Sequence, residues 1–143
     1  MADEGCILCR VASGEVAAAL VAATPRIVGA LNTLEPFSRG HCVFFPRRHA
    51  TNLLELEDGD LAEILIAIRE VAAKIGAENY NVLSNNGALA GQTVFHAHMH
   101  LIPKWNEDEG LVYRREPQHG LEHGEIGERV VLRERRAWAR GWA

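Results

Sequence analysis

No apolar run in the chain approaches the roughly 20 residues needed to span a bilayer. No hydrophobic stretch follows the acidic start Met1-Ala2-Asp3-Glu4, so no secretion signal is expected. There is no internal repeat and no low-complexity segment, which excludes solenoids and tract-driven disorder. Nor is there a basic excess. The formal net charge is −4, and binders of nucleic-acid polymers carry basic surfaces. These absences point away from membrane and nucleic acid and toward a cytoplasmic setting. The three cysteines should be reduced there rather than paired in disulfides. A small anionic ligand stays compatible, because a local pocket can be positive in an acidic protein.

What is present suits a packed domain. The chain has 143 residues, 48 % hydrophobic and 24 % charged, enough for one core. Residues 6–13 read as two helical turns stopped by Gly14. Residues 16–23 and 26–32 read as strands broken at Thr24-Pro25, and His41 to Pro46 as a third. The clearest helix spans Asp60 to Ile75. Leu61, Ile64, Leu65, Ile68, Val71, Ala72 and Ile75 recur at three- and four-residue steps. Asp60 with Glu63 looks like its capping pair and Gly76 its stop. Tyr80 to Ser84 reads as a fourth strand and Phe95 to Ile102 as a fifth, closed by Pro103. Residues 106–143 form a charged extension with His119 and His123, to which no chemistry is assigned. Val130, Val131 and Leu132 read as one more strand there.

The fifth strand carries the densest chemistry. Phe95-His96-Ala97-His98-Met99-His100-Leu101-Ile102 alternates strictly. In a strand this puts the three histidines on one face and Phe95, Ala97, Met99 and Leu101 on the other, toward the core. Neighbouring histidines on that face sit about 6.5 Å apart. That spacing suits separate jobs along an extended ligand better than one metal held by all three. Partly buried core histidines and a three-histidine metal site are the competing readings. Asn85-Asn86-Gly87 and Gly91-Gln92-Thr93 lie just before the row. Their amides, hydroxyl and glycine N–H groups read as a phosphate cradle. Together these features point to a nucleotide-phosphate hydrolase or transferase.

Cys6 and Cys9 have the i, i+3 spacing that zinc sites favour. By themselves they fit small core residues of a short helix, or a redox pair, equally well. Cys42 reads as a buried core residue.

Residues 96–102 match the His-φ-His-φ-His-φ-φ signature, with φ apolar, of the histidine triad (HIT) family. The lead-in Gly91-Gln92-Thr93-Val94, Asn85-Asn86-Gly87, Gly40-His41, Pro46-Arg47-Arg48-His49 and Cys6-x-x-Cys9 also match. The chain resembles that family over about residues 5–105. The resemblance implies an α+β fold. An antiparallel sheet of about five strands would carry one long helix and a short N-terminal helix, over a HIT domain at 1–105. It implies an enzyme acting at the α-phosphorus of a purine nucleotide, such as a dinucleoside polyphosphate or nucleoside phosphoramidate. His98 resembles the nucleophile that forms a nucleotidyl-histidine intermediate, and His100 the residue at the phosphate or leaving group. Gln92 and Thr93 resemble donors to the phosphate oxygens, and Asn85 a pocket donor beside Gly91. Asn32 resembles the ribose-holding residue, and His41 the support of the His98 ring or the pocket behind it. Ile7 and Leu8 are the implied base contacts. Some family members bind zinc through positions matching Cys6, Cys9, His49 and His96, and no organic cofactor is implied. A homodimer, joined through the long helix and the adjoining strand edge, is also implied. Trp138 and Trp142 are the residues by which a C-terminus would reach a partner's site. A transferase or phosphorylase, and a nucleotide-binding interaction protein with incidental activity, are the alternatives.

Overall fold

The structure, a computed structural model, describes residues 3–112 and 114–130. Five strands form one antiparallel sheet in the order β1-β2-β3-β5-β4. They are β1 (Leu20–Ala23), β2 (Ile27–Leu31), β3 (Cys42–Pro46), β4 (Tyr80–Leu83) and β5 (Met99–Pro103). Helix α1 (Ile7–Ala12) precedes the sheet, and α2 (Asp58–Ile75) connects β3 to β4. The fold is α+β, as the sequence implies.

The apolar period of α2 explains where it packs. Ile64, Ala67, Ile68, Val71 and Ala72 are buried against Ile27, Cys42, Phe44, Met99 and Leu101 of the sheet. Each large side chain so buried contributes about 1.5–3 kcal/mol. Leu65, expected in this core, is 47 % exposed, and Ala67 fills the stripe instead. The helix begins at Asp58, two residues earlier than the periodicity suggests, and Glu57 makes no side-chain cap. Asp60 is not a cap but a buried carboxylate, 2.8 Å from Arg26 Nη1. Gly76 ends the helix in the left-handed region (φ 75°).

Two expectations about strands fail. The fifth strand starts at Met99, not Phe95. Residues 92–98 are tied to an earlier loop: Ala97 N–H donates to Ala50 O, and Gln92 Nε2 to Thr51 O. Without a pleat there, alternation stops predicting exposure, and Phe95 is 51 % exposed while His96 is fully buried. Val130 lies at the end of α3 (Gly124–Val130), not in a strand. An Arg129–Glu125 pair one turn apart supports that helix. Val131, Leu132, Trp138 and Trp142 lie outside the described residues.

Among the described residues, 3–112 form one compact unit and 114–130 belong to a second. The first therefore includes 106–112, which the sequence reading gave to the extension. Lys104 Nζ donates to Leu111 O, and Gly110 N–H to Phe37 O. Among the described residues no helix is long and apolar enough to cross a membrane.

Candidate active site and metal cluster

Helix α1 brings two thiols to the sheet. Cys6 caps it, its sulfur accepting from the Cys9 amide at 3.5 Å. Arg47 anchors the other end, donating to Ala12 O at 2.8 Å and to Thr24 O at 2.6 Å. The Cys6 and Cys9 sulfurs then lie 3.3 and 3.4 Å from His96 Nδ1, and Cys9 Sγ lies 3.4 Å from His49 Nδ1. All four ligand atoms fall within 4.8 Å of one another.

The protonation pattern decides what this cluster can hold. His96 Nε2 sits 2.8 Å from Pro46 O, a pure acceptor, so the ring proton is there and Nδ1 turns its lone pair to the thiols. Burial pushes His96 down to about 4, against the Pro46 bond, which favours the charged form, so the ring is neutral. Burial also raises the Cys9 thiol above its ordinary value, a cost that a cation would reverse. A tetrahedral metal with bonds of about 2.0–2.3 Å spaces its ligands about 3.5 Å apart. The observed separations fit, so the cluster can hold a metal ion.

The remaining histidines form a second group. His100 lies in β5 between Val43 of β3 and Leu83 of β4. Its ring is 5.1 Å, centroid to centroid, from His98 on one side and His41 on the other. His98 Nδ1 lies 2.7 Å from His96 O and must donate to it, which leaves Nε2 with the lone pair. Ser84 Oγ fixes the next carbonyl, donating to His98 O at 2.8 Å. His41 supports His100 rather than His98: its Nε2 is 2.9 Å from His100 Nδ1. Burial, then the neighbouring His98 and His41, push His100 down to about 4, and burial lowers His41.

The loop before the histidines differs from a free phosphate cradle. Gly87 N–H donates to Gln92 Oε1 and Gly91 N–H to Ala88 O. Gln92 is buried, with its amide nitrogen donating to Thr51 O and Val94 O. These groups are spent on the shape of the loop. Asn86 is likewise spent, on Ser84 and the Leu53 amide. Asn85 and Thr93 keep side chains with no hydrogen bond inside the described residues. Asn32 Oδ1 accepts from Glu35 N–H at 3.3 Å. Ile7, 42 % exposed, shares with Cys6, His49, Thr93, Val94 and Phe95 the wall of a cavity of about 330 Å³. That is within the range of small-molecule sites. Cys42 is fully buried in the core, and burial pushes its thiol up to about 11. Ser84 and the carbonyls of Pro46 and His96 carry no sequence signal, because their role depends only on where the backbone runs.

Comparison with known proteins agrees with this geometry. The HIT domain family model matches residues 13–107. An adenosine 5'-monophosphoramidase of Schizosaccharomyces pombe is 42 % identical over 106 residues, 74 % of this chain and 79 % of the relative. The crystal structure of a histidine triad nucleotide-binding protein from Candida albicans superposes with a TM-score of 0.77 at 30 % identity, covering 87 % of this chain and 91 % of the other. A zinc-bound histidine triad family protein from Mycobacterium smegmatis gives a TM-score of 0.68 at 30 % identity, covering 80 % and 84 %.

Proposed function

The chain belongs to the HIT family and is a hydrolase of it, and on that premise we propose that it cleaves purine nucleoside phosphoramidates at the α-phosphorus through a nucleotidyl-histidine intermediate. The observation that carries the reading is the His98 ring, with Nδ1–H on the His96 carbonyl and Nε2 unpaired among the described residues. A neutral imidazole held this way is a ready nucleophile. Nε2 bonds to phosphorus as the P–N bond breaks, and the electron pair leaves with the amine. The amine takes a proton relayed from solvent water through the Thr93 hydroxyl. Water then attacks the phosphorus, returns a proton, and displaces the nucleoside monophosphate from Nε2. His100, by its Nε2–H, and Asn85 are the proposed donors to the non-bridging oxygens. Gln92 shapes the Gly87–Gly91 turn that carries Thr93. The base is assigned to Ile7, which shares a cavity wall with Thr93, and to the neighbouring Leu8, with Asn32 at the ribose.

The name of the fission yeast relative favours a phosphoramidate over a dinucleoside polyphosphate. AMP release from adenosine phosphoramidate and from a series of diadenosine polyphosphates tests the choice. Faster turnover of the phosphoramidate is expected. A preference for the polyphosphates, or no AMP from any of them, would overturn it.

Zinc is the metal we assign to Cys6, Cys9, His49 and His96, since two thiolates and two imidazoles suit it. A closed four-ligand site supplies structure, tying α1 to the segment before β5, and no chemistry. The reduced cytoplasmic setting keeps both thiols available. A homodimer through α2 and the β4 edge fits the exposure of Leu65, Ile66, Tyr80 and Val82.

A further inference from the structure

The loop entering β3 ends on His41, and its shape is set mostly from a distant part of the chain. Trp105 Nε1 donates to Arg39 O at 2.8 Å, and Gly110 N–H to Phe37 O at 2.9 Å. Glu109 closes the arrangement. Its Oε1 accepts from both the Arg39 backbone N–H and Arg39 Nε at 2.9 Å, and its Oε2 from Nη2 at 3.3 Å. The Arg39 guanidinium also lies over the Trp105 ring, 5.5 Å from its centroid. Residues 105–110 thus fold onto residues 37–39 as a clasp.

An exposed ion pair between two free side chains is worth little. This one differs, because the carboxylate holds a backbone amide as well as a guanidinium, and so fixes the course of the main chain. The Arg39 bonds hold the Glu109 carboxyl below its ordinary value. The clasp is also demanding to build. Gly110 adopts φ +116°, and a Cβ there would lie 2.9 Å from Pro103 O.

What the clasp positions is the Phe37 amide. Phe37 N–H donates to His41 Nδ1 at 3.1 Å, and the Phe37 ring stacks on the imidazole at 5.6 Å and 17°. An accepting Nδ1 puts the proton of neutral His41 on Nε2. That nitrogen then donates to His100 Nδ1 at 2.9 Å, which leaves the His100 proton on Nε2. We infer that Glu109 is a positioning residue, which through Arg39 and the Phe37 amide sets the tautomers of His41 and His100. Its effect on turnover rests on the reading that His100 donates to substrate; its effect on the tautomers does not.

The test separates the two. Long-range proton–nitrogen correlation spectra of the full chain report which ring nitrogen of His41 and His100 carries the proton. In Glu109→Ala, His100 should change from one tautomer to a mixture. Its kcat on adenosine phosphoramidate should fall roughly tenfold, as expected for misplaced catalytic groups, with KM little changed. Glu109→Gln keeps the oxygen that accepts from Arg39 N and Nε, and should restore both readouts. Unchanged His41 and His100 tautomers in folded Glu109→Ala would overturn the inference. So would a Glu109→Gln variant as impaired as the alanine. A shifted tautomer with unchanged turnover would uphold the clasp and remove His100 from the proposed chemistry.

Discussion

His96 and His98 are two residues apart, and each gives one ring nitrogen to a main-chain carbonyl, but they use opposite nitrogens. His96 gives Nε2 to Pro46 and turns Nδ1 to two thiols in a half-buried cluster. His98 gives Nδ1 to His96 and leaves Nε2 unpaired among the described residues, beside His100. In the proposed function, one motif thus supplies a metal ligand and a nucleophile. The residue type is the same in both; the backbone carbonyl that each ring meets selects its job.

The comparison breaks most sharply at His98. His98→Asn should lower kcat/KM by about a thousandfold or more and leave melting temperature and nucleotide affinity nearly unchanged. Retained turnover in a steady-state assay would show that the two histidines do not differ as described. At the closed cluster the cost should be structural. Cys9→Ala should lose the metal, seen by elemental analysis against one equivalent in the native protein. It should melt about 10 °C lower or more, with a smaller loss of turnover than His98→Asn. A metal-free native protein of equal stability would remove the cluster's proposed role.

The smallest expected effect is on pH. His100 falls from 6.5 to about 4 on folding, through burial first, so the unfolded chain binds more protons between those values. Its contribution is complete above pH 6.5 and is lost as pH falls to about 4; solvent screening of the part-exposed ring reduces it to the order of 1–2 kcal/mol. His41 shifts in the same direction. Acid melts of His100→Asn should show a shallower decline over that window than the native protein. An identical decline would show that the row does not respond separately from the cluster.

The sequence made some of this legible and hid the rest for identifiable reasons. The period of Ile64, Ile68, Val71 and Ala72 reported the buried stripe of α2, because helix faces repeat locally. The four residues that motif resemblance implies as metal ligands lie together, in a group that could hold a metal ion. The histidine strand was over-extended, since alternation signals a pleat only where a neighbouring strand pairs with it. Residues 92–98 bond instead to residues 50 and 51 and to their own loop. Asp60 looked like a cap because position favours acids in a first turn, while Arg26, its partner 34 residues away, is invisible to local pattern. The Glu109 clasp was illegible for the same reason: its partner is 70 residues away.

The reach of the thiol–imidazole cluster has a consequence for how the chain is made. His96 meets Cys6 across 90 residues and Cys9 across 87. At about 5–20 residues per second of synthesis, both thiols emerge roughly 5–20 s before the ring they pack against. Through that interval the first helix has no lasting partner from the end of the sheet. The cluster closes only when synthesis has passed the histidine motif, joining two segments made 87 to 90 residues apart.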